Sequence, residues 1–279
     1  MTPPVRVPVT WVDAFADRAF AGNPAAVCLL EGPAEATWMQ GLAAEFGISE
    51  TAYLWPVAGG WSLRWFTPAT EVDLCGHATL AAAHALRAAG REPDGARVVF
   101  TTRSGPLLAR LAGELIELDL PADPPRDAPV PAALATALAR PDGSALATMG
   151  GARSTAFFVA VLAQAADVRT AVVDVAALGA LADQAVIVTA PGPDPGAPGA
   201  DYVLRVFGPN VGIDEDPVTG SAQCVLAPYW APRLGSTALR AAQVSARGGR
   251  LEVVLDGVRV RIAGRAVTVL EGTVAGGRA

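Results

Sequence analysis

One internal repeat limits the folds available to this chain. The hexapeptide Leu-Arg-Trp-Phe-Thr-Pro at residues 63–68 recurs as Leu-Arg-Val-Phe-Gly-Pro at residues 204–209, so the two arginines are 141 positions apart (205 − 64). Acidic residues follow each copy, and then a glycine, Gly76 or Gly220, opens a helical pattern. Agreement in order, spacing and flanking pattern favours duplication over chance. We therefore expect two similar domains related by a pseudo-twofold axis.

The chain is long enough for two domains, since 279 residues allow each half to bury a core of its own. Between the repeats, residues 121–131 read PADPPRDAPVP and contain five prolines. Such a segment cannot sustain a helix or a central strand. We predict domains at residues 1–122 and 123–279, with the last strand able to return to the first domain.

The basic residues exclude several chemistries. All 21 are arginine, because the chain contains no lysine, so Schiff-base lysines, pyridoxal phosphate anchors and P-loop lysines are excluded. The residues are 52% hydrophobic and 17% charged, and the formal net charge is −6, which argues against disorder and against nucleic-acid binding.

Cysteine usage and hydropathy indicate where the protein resides. The three cysteines are too few and too scattered for a disulfide framework or a structural zinc site. No apolar run approaches the roughly 18 residues that a membrane span needs, and the N-terminal residues show no signal-peptide pattern. We predict a cytoplasmic protein without a membrane or nucleic-acid partner.

Short strand patterns at hairpin spacing alternate with a few helical patterns along both halves. Helices are predicted at residues 34–46, 77–89 and 131–139, and glycine follows the first two as an expected helix end. The pattern predicts an α+β fold with a mixed sheet packed on helices. The composition of residues 190–200, APGPDPGAPGA, predicts a flexible surface loop.

Each glycine of the repeat precedes a helix start, where the first backbone N–H groups lack partners inside the helix. Their partial positive charge suits an anion. If the domains are pseudo-twofold related, the turns Gly76-His77 and Gly220-Ser221 would face each other across the domain interface and bind a small carboxylate. The alternative is that each glycine merely lets the chain bend before a helix.

Few side chains near these turns can move protons. His77 lies in the first turn, where the helix dipole would lower its pKa and favour a neutral ring. His84, seven residues further, is better explained as a packed core residue. Glu50 stands where a helix passes into an apolar strand; desolvation there would raise its pKa towards the range of a general base, whereas the alternative is an exposed turn residue.

Three further residues are candidates with strong alternatives. Asp216 ends a run of three carboxylates before a helix start, where acidic residues usually act as caps. Asn23 could bind substrate or form an Asx turn. Cys75 precedes a helix N-terminus and could be a nucleophile or a proton carrier, but its counterpart in the repeat is Thr219, so a pair of catalytic thiols is not supported.

Taken together, these segments resemble the phenazine biosynthesis PhzF-like family, which has the diaminopimelate epimerase-like fold. The ordered set covers essentially the whole chain: Gly22-Asn-Pro-Ala-Ala-Val27, Ser49-Glu-Thr-Ala-Tyr-Leu54, Arg64-Trp-Phe-Thr-Pro68, Glu71-Val-Asp-Leu-Cys-Gly-His-Ala-Thr79, Gly212-Ile-Asp-Glu-Asp-Pro-Val-Thr-Gly-Ser-Ala222, Gln243-Val-Ser-Ala-Arg-Gly-Gly249 and Glu271-Gly272.

The resemblance implies two domains, each a mixed barrel-like sheet around a central helix, with an active site between them, no cofactor, no metal and a homodimeric assembly. It implies catalytic roles for Glu50, His77 and Asp216, with Glu50 as the acid/base. Substrate contacts are implied at the two glycine turns. Where the family often has His or Asn after Gly-Ser-Ala, this chain has Gln223, which leaves the substrate open.

The predicted function is a cofactor-independent isomerase that moves a proton within a small carboxylate-bearing substrate. Glu50 would remove the proton from one carbon and return it to another, while His77 and Asp216 position polar groups; Asn23, Cys75, Gly76, Gly220 and Ser221 would bind substrate. The alternatives are an amino-acid epimerase or racemase, which needs a second acid/base, and a non-catalytic small-molecule binding module. A thiol hydrolase using Cys75 with His77 ranks last.

Overall fold

The computed structural model describes residues 6–181 and 185–276. The chain forms two compact units: the first consists of Met1–Asp119 with Ala263–Ala279, and the second of Leu120–Ile262. Among the described residues, no helix is both long enough and apolar enough to cross a membrane.

The elements up to residue 121 are β1 Arg6–Ala14, β2 Asn23–Leu29, α1 Ala36–Phe46, β3 Glu50–Val57, β4 Gly60–Phe66, β5 Glu71–Val72, α2 Gly76–Ala88, β6 Arg97–Thr102, β7 Gly105–Ala112 and β8 Leu115–Pro121. The remaining elements are β9 Arg126–Asp127, α3 Ala132–Thr136, β10 Leu138–Ala139, β11 Thr148–Arg153, β12 Phe157–Leu162, α4 Ala165–Thr170, β13 Val172–Val173, α5 Val175–Leu181, β14 Ala185–Pro191, β15 Tyr202–Gly208, a 3-10 turn Pro209–Val211, β16 Ile213–Asp216, α6 Ala222–Leu234, β17 Ala238–Gln243, β18 Gly249–Asp256, β19 Arg259–Gly264 and β20 Ala266–Ala275.

The first unit is a mixed sheet in the order β20-β1-β2-β3-β4-β6-β7-β8, in which β2 runs parallel to β3 and β4 parallel to β6. Helix α2 packs against β1, β2, β3, β7 and β20, so the sheet curves around it. Six of the 13 residues in its sequence, GHATLAAAHALRA, are alanine, and these small side chains let strands approach it closely. Helix α1 packs against β3 and β4.

The second unit has the same plan. Its strands pair in the order β9-β11-β12-β14-β15-β17-β18, with β12 parallel to β14 and β15 parallel to β17. Helix α6 packs against β17 and β18, and α4 packs against β12, β14 and β15. The succession β1-β2-β3-β4-β5-α2-β6-β7 of the first unit thus has its counterpart in β11-β12-β14-β15-β16-α6-β17-β18.

The repeated hexapeptide has one structural role in both units. Arg64 donates two hydrogen bonds to Glu71 at 2.7 and 2.8 Å, and Arg205 donates two to Glu215, both at 2.7 Å. Each guanidinium lies over the phenylalanine two residues further along, at 5.1 and 5.0 Å from the ring centre. A bidentate arginine stacked on an aromatic ring fixes the following acidic strand, β5 or β16, before each central helix.

Two expectations about local structure need correction. Residues 190–200 are not simply a flexible loop: the buried carboxylate of Asp194 accepts a hydrogen bond from Arg169 Nε at 2.7 Å and another from the Gly196 N–H at 2.7 Å, which anchors the segment. The helix predicted at residues 131–139 covers only Ala132–Thr136, and Leu138–Ala139 instead pairs with β13.

Candidate active site

Glu50 is the first residue of β3. Helix α1 ends at Gly47, whose φ of 63° lets the chain reverse, and β3 then pairs in parallel with β2 so that Glu50 lies beside Ala25. Burial follows from this interior position, and only 10% of the Glu50 side chain is exposed. Glu50 is therefore not an exposed turn residue.

His77 lies in the first turn of α2. The helix begins at Gly76, with Cys75 as the N-cap residue in extended conformation. The Thr79 hydroxyl donates to the Cys75 carbonyl at 2.5 Å, which tightens this turn. The His77 side chain is 7% exposed.

Glu50 and His77 form the centre of the candidate site. The Glu50 Oε2 and His77 Nε2 atoms are 3.1 Å apart, but they are not aligned for a hydrogen bond. Both atoms are buried, and neither has a hydrogen-bond partner among the described residues. Buried polar atoms usually make well-aligned hydrogen bonds, so this ion pair without one is a candidate place for a ligand to bind.

Asn23 orients the histidine ring. Its Nδ2 lies 3.2 Å from His77 Nδ1, and its Oδ1 accepts a hydrogen bond from the Ser49 hydroxyl at 3.3 Å. Asn23 therefore contacts the ring nitrogen opposite the one that faces Glu50. Asn23 is the fully buried first residue of β2, so it acts here through His77 and not as an isolated surface turn.

The thiol of Cys75 completes this cluster. Its Sγ lies 3.5 Å from His77 Nδ1, and the residue is buried. Burial raises the pKa of Cys75, the nearby Glu50 raises it further, and His77 offsets only part of this effect. The side chain is therefore a protonated thiol at neutral pH, which makes it a weak nucleophile.

The predicted lowering of the His77 pKa is wrong. Burial acts in the expected direction, but the contacts with Cys75 and Glu50 outweigh it, and the pKa of His77 lies well above its ordinary value. Cys75 Sγ lies 3.5 Å from His77 Nδ1 and Glu50 Oε2 lies 3.1 Å from His77 Nε2, so both act on the ring at short range. The helix dipole is the weaker influence beside a carboxylate 3.1 Å away.

The same cluster has donor atoms of three kinds. One ligand atom each from Glu50, Cys75 and His77 all lie within 4.8 Å of one another, and among the described residues this is the group with the composition of a metal site. Because Cys75 and Glu50 lie at opposite nitrogens of the His77 ring, the three side chains do not hold one ion together. The arrangement can transfer a proton between a carboxylate and a bound molecule.

In the second unit, the turn that precedes α6 holds Asp216 and Thr219. The Thr219 hydroxyl donates to Asp216 Oδ2 at 2.5 Å. Gln243, which is 1% exposed, accepts from the Thr219 N–H at 2.8 Å and donates to the Asp216 carbonyl at 2.6 Å. Gln243 therefore fixes the shape of this turn; sequence reasoning noticed its motif but assigned it no role.

Gly220 and Ser221 follow directly, and α6 begins at Ala222 with Ser221 as its N-cap residue. Gln223 does not point into solvent: it is fully buried, accepts a hydrogen bond from the Tyr202 hydroxyl at 2.5 Å and donates to the Thr219 carbonyl at 3.4 Å. Its place in the repeat corresponds to Thr79, whose hydroxyl makes the equivalent bond to the Cys75 carbonyl.

The structure brings the predicted residues together in two groups. Glu50, His77, Cys75 and Asn23 meet in the first unit, with Gly76 at the helix start; Asp216, Gly220 and Ser221 lie around the α6 turn of the second unit. That the two turns serve one substrate stays a prediction.

Known proteins share this architecture. The chain is 39% identical to a PhzF-family phenazine biosynthesis protein of Enterococcus faecalis, whose crystal structure superposes with a TM-score of 0.90 over 97% of this chain and 99% of that one. A hydroxyproline epimerase of Agrobacterium vitis, 12% identical, shares the fold with a TM-score of 0.62 over 97% and 92% of the two chains. The predicted α+β, epimerase-like fold is thereby confirmed.

Sequence comparison adds the type of reaction. An uncharacterized isomerase of Pseudomonas aeruginosa is 45% identical over 263 residues, which cover 94% of this chain and 96% of that protein. Fold and relatives together define the class, an enzyme of the isomerase type.

The family follows from a match along almost the whole sequence. Residues 12–272 match the family PhzC-PhzF, described as phenazine biosynthesis-like protein. The chain belongs to this family, as its motifs predicted.

Proposed function

We propose that this chain is a cofactor-independent isomerase that moves a proton within a small carboxylate-bearing substrate, with Glu50 as the acid/base. One observation carries the proposal: Glu50 Oε2 and His77 Nε2 are buried 3.1 Å apart, and neither has a hydrogen-bond partner among the described residues. A buried carboxylate without a hydrogen-bond partner can accept a proton from a substrate C–H group, and the surrounding apolar strands keep water away from it.

The proposed reaction is balanced without an external reagent. The Glu50 carboxylate takes a proton from one carbon, and the electron pair of the broken C–H bond delocalises into the adjacent unsaturated or carboxylate group. The Glu50 carboxyl group, whose proton exchanges in part with solvent, then protonates a different carbon. No electrons leave the substrate, so the step needs no electron carrier. The imidazolium of His77 would stabilise negative charge that develops on the substrate beside it.

The duplicated topology supports one base in preference to two. Strands β3 and β14 pair in the same register with the phenylalanines of the repeated hexapeptide, which puts Ala185 at the position of Glu50. Thr219 likewise stands where the first unit has Cys75. The second unit thus carries neither acid/base group at these positions. This favours a proton shuttled by Glu50 over the two-base inversion that a racemase requires.

The substrate carboxylate would be bound by backbone N–H groups at a helix start, that of α2 or that of α6, each a helix of 13 residues. Asp216 would act on the α6 turn through the Thr219 hydroxyl, and Gly220 and Ser221 would offer N–H groups to the substrate. A homodimeric assembly and a cytoplasmic location stay predictions.

Incubation with a panel of small unsaturated and amino carboxylates in D2O, read by mass spectrometry and NMR, tests the proposal. The expected result is catalytic deuteration or positional isomerisation of at least one panel member, with no change in mass other than the gain from deuterium. Inversion at one α-carbon without positional change would show an epimerase. Saturable binding of a panel member without any exchange would show a binding module and refute the proposal.

A further inference from the structure

The indole of Trp65 is a buried hydrogen-bond donor without an acceptor. Three of the six tryptophans are buried, namely Trp61, Trp65 and Trp230. Trp61 and Trp230 donate through Nε1, to Glu92 at 2.8 Å and to Thr189 at 3.2 Å respectively. Trp65 is 1% exposed, and its Nε1 has no partner among the described residues. Because a buried indole N–H usually has a partner, this one indicates a place for a bound acceptor.

Trp65 lies on the face of the sheet that carries Glu50. It pairs directly with Ala52 across β3 and β4, and residues opposite each other in an antiparallel pair point to the same face. Side chains alternate along a strand, so Glu50 shares this face and is a diagonal neighbour of Trp65, about 7 to 8 Å away and within reach of an aromatic side chain. Tyr53 and Phe66, the next residues along the two strands, belong to the core cluster on the opposite face, which includes residues of α1.

Three unsatisfied atoms therefore belong to one region of the first unit. Helix α2 packs against β3, and His77 Nε2 in its first turn lies 3.1 Å from Glu50 Oε2. These two atoms and Trp65 Nε1 are all buried without a hydrogen-bond partner among the described residues. An indole N–H can only donate, so a molecule bound here has to present an acceptor to Trp65.

The internal repeat shows that the fold does not require this indole. The third position of the hexapeptide is Trp65 in the first unit and Val206 in the second, and Val206 is 3% exposed. An aliphatic side chain thus occupies the corresponding buried position of the duplicated sheet. The Trp65 N–H adds a polar atom that packing does not need, and burying it without a partner destabilises the fold. Such local conflicts are typical of functional positions.

We propose that Trp65 is a further substrate-binding residue, whose indole N–H donates to a carboxylate or carbonyl oxygen of the substrate while Glu50 acts on a C–H group. This inference rests on the function proposed above, because it assigns one substrate to both side chains. A fixed donor beside the base selects substrates that carry an oxygen close to the carbon that loses its proton.

Indole NMR of the intact protein tests this contact without turnover. Uniform ¹⁵N labelling gives one Nε1–H signal for each of the six tryptophans, and the signal that disappears in Trp65→Phe belongs to Trp65. The probes are the carboxylates of the D2O panel, each added up to its solubility limit. We expect at least one probe to move the Trp65 signal downfield, because a new hydrogen bond to oxygen deshields the proton. Trp65→Phe should weaken binding of that probe about tenfold or more.

Trp61→Phe is the matched control, since it makes the same substitution on β4 at an indole that already donates to Glu92. The Trp61 signal should stay in place, and Trp61→Phe should leave the affinity for the probe unchanged. Circular dichroism and urea unfolding establish that both variants are folded. If Trp65→Phe does not fold, through-space contacts of the indole with Ala52 assign the wild-type signal instead.

Two results would overturn the inference. One is a bound probe that moves the ring signals of His77 but leaves the Trp65 signal in place, and the other is an equal loss of affinity in the Trp65 and Trp61 variants. A Trp65 signal that is already downfield in the free protein and never moves would show a buried water only, which also refutes the contact with substrate.

The two proposals fail separately. If a probe moves the Trp65 signal but no panel member is deuterated, the contact holds for a binding module and the isomerase is refuted. If a panel member is deuterated while the Trp65 signal and the affinity of Trp65→Phe are unchanged, the isomerase stands and Trp65 has no part in binding. If no panel member binds or is deuterated, both proposals are refuted.

Discussion

Replacing Glu50 with glutamine removes the proposed base while keeping nearly the same side-chain shape. The amide cannot accept a proton at neutral pH, and it occupies the same buried position 3.1 Å from His77 Nε2. Glu50→Gln is therefore the sharpest single test of the proposed mechanism.

The expected loss of activity follows from the role of a general base. Such groups contribute about 10²- to 10⁴-fold to a rate, which corresponds to about 2.7 to 5.5 kcal/mol of activation free energy. The free energy of unfolding should change less than this activation free energy. The attraction between the carboxylate and an imidazolium at this distance is roughly 5 kcal/mol at an effective dielectric constant of 20, but it opposes the cost of burying both charges. Without the carboxylate, His77 can lose its proton and leave no buried charge, so both terms disappear together. We expect the free energy of unfolding to change by less than about 2 kcal/mol.

The assay is the initial rate of deuterium incorporation into the substrate found in the D2O panel. Glu45→Gln is the matched control, because it makes the same substitution at an exposed position on α1. Glu50→Asp keeps the carboxylate but withdraws it by one methylene, so its rate should lie between those of the wild type and Glu50→Gln. Urea unfolding measures stability for all three variants.

A folded Glu50→Gln protein that exchanges deuterium within threefold of the wild-type rate would refute the assignment of the base. A large loss shared by the Glu45 control would instead trace the effect to general damage. If Glu50→Gln loses both substrate binding and deuterium exchange, Glu50 mainly binds substrate.

Three further predictions follow from the contacts. Cys75→Ser should keep deuterium exchange within about tenfold of wild type, because the thiol is protonated and is not the base; a loss as large as that of Glu50→Gln would favour thiol chemistry. Burial, with a smaller effect from Arg87, lowers the pKa of His84 to about 4, so its contribution to stability is complete above about pH 6.5 and is lost as the pH falls towards 4. His84→Gln should flatten that part of a urea-unfolding pH profile, and an unchanged slope would contradict the reasoning. Arg205→Met should lower the free energy of unfolding by about 3 kcal/mol or more in urea unfolding, and Arg64→Met should lower it by less. The reason is that Arg205 also donates to the Ala171 carbonyl at 2.7 Å, and its side chain is 14% exposed whereas that of Arg64 is 25% exposed. Equal losses for the two variants would contradict this reasoning.

The repeat could be recognised from the sequence because the interactions that define it join residues close together in the chain. Arg64 and Arg205 each meet an acidic partner seven or ten residues further along the chain, and each glycine turn lies directly before its helix. Interactions of such short range leave a pattern in the order and spacing of residues. That pattern sufficed for the α+β fold, for the helix starts and for the choice of Glu50 and His77 as candidates.

Only the tertiary structure decided how the site is electrostatically arranged. Glu50 and His77 are 27 residues apart (77 − 50), and Asn23 is 54 from His77; they meet because β2 pairs with β3 beside the first turn of α2. A pKa depends on charges a few ångströms away, whatever their position in the chain, so local reasoning from the helix dipole gave the wrong direction for His77. The support that Gln243 gives to Thr219, 24 residues earlier, was hidden for the same reason.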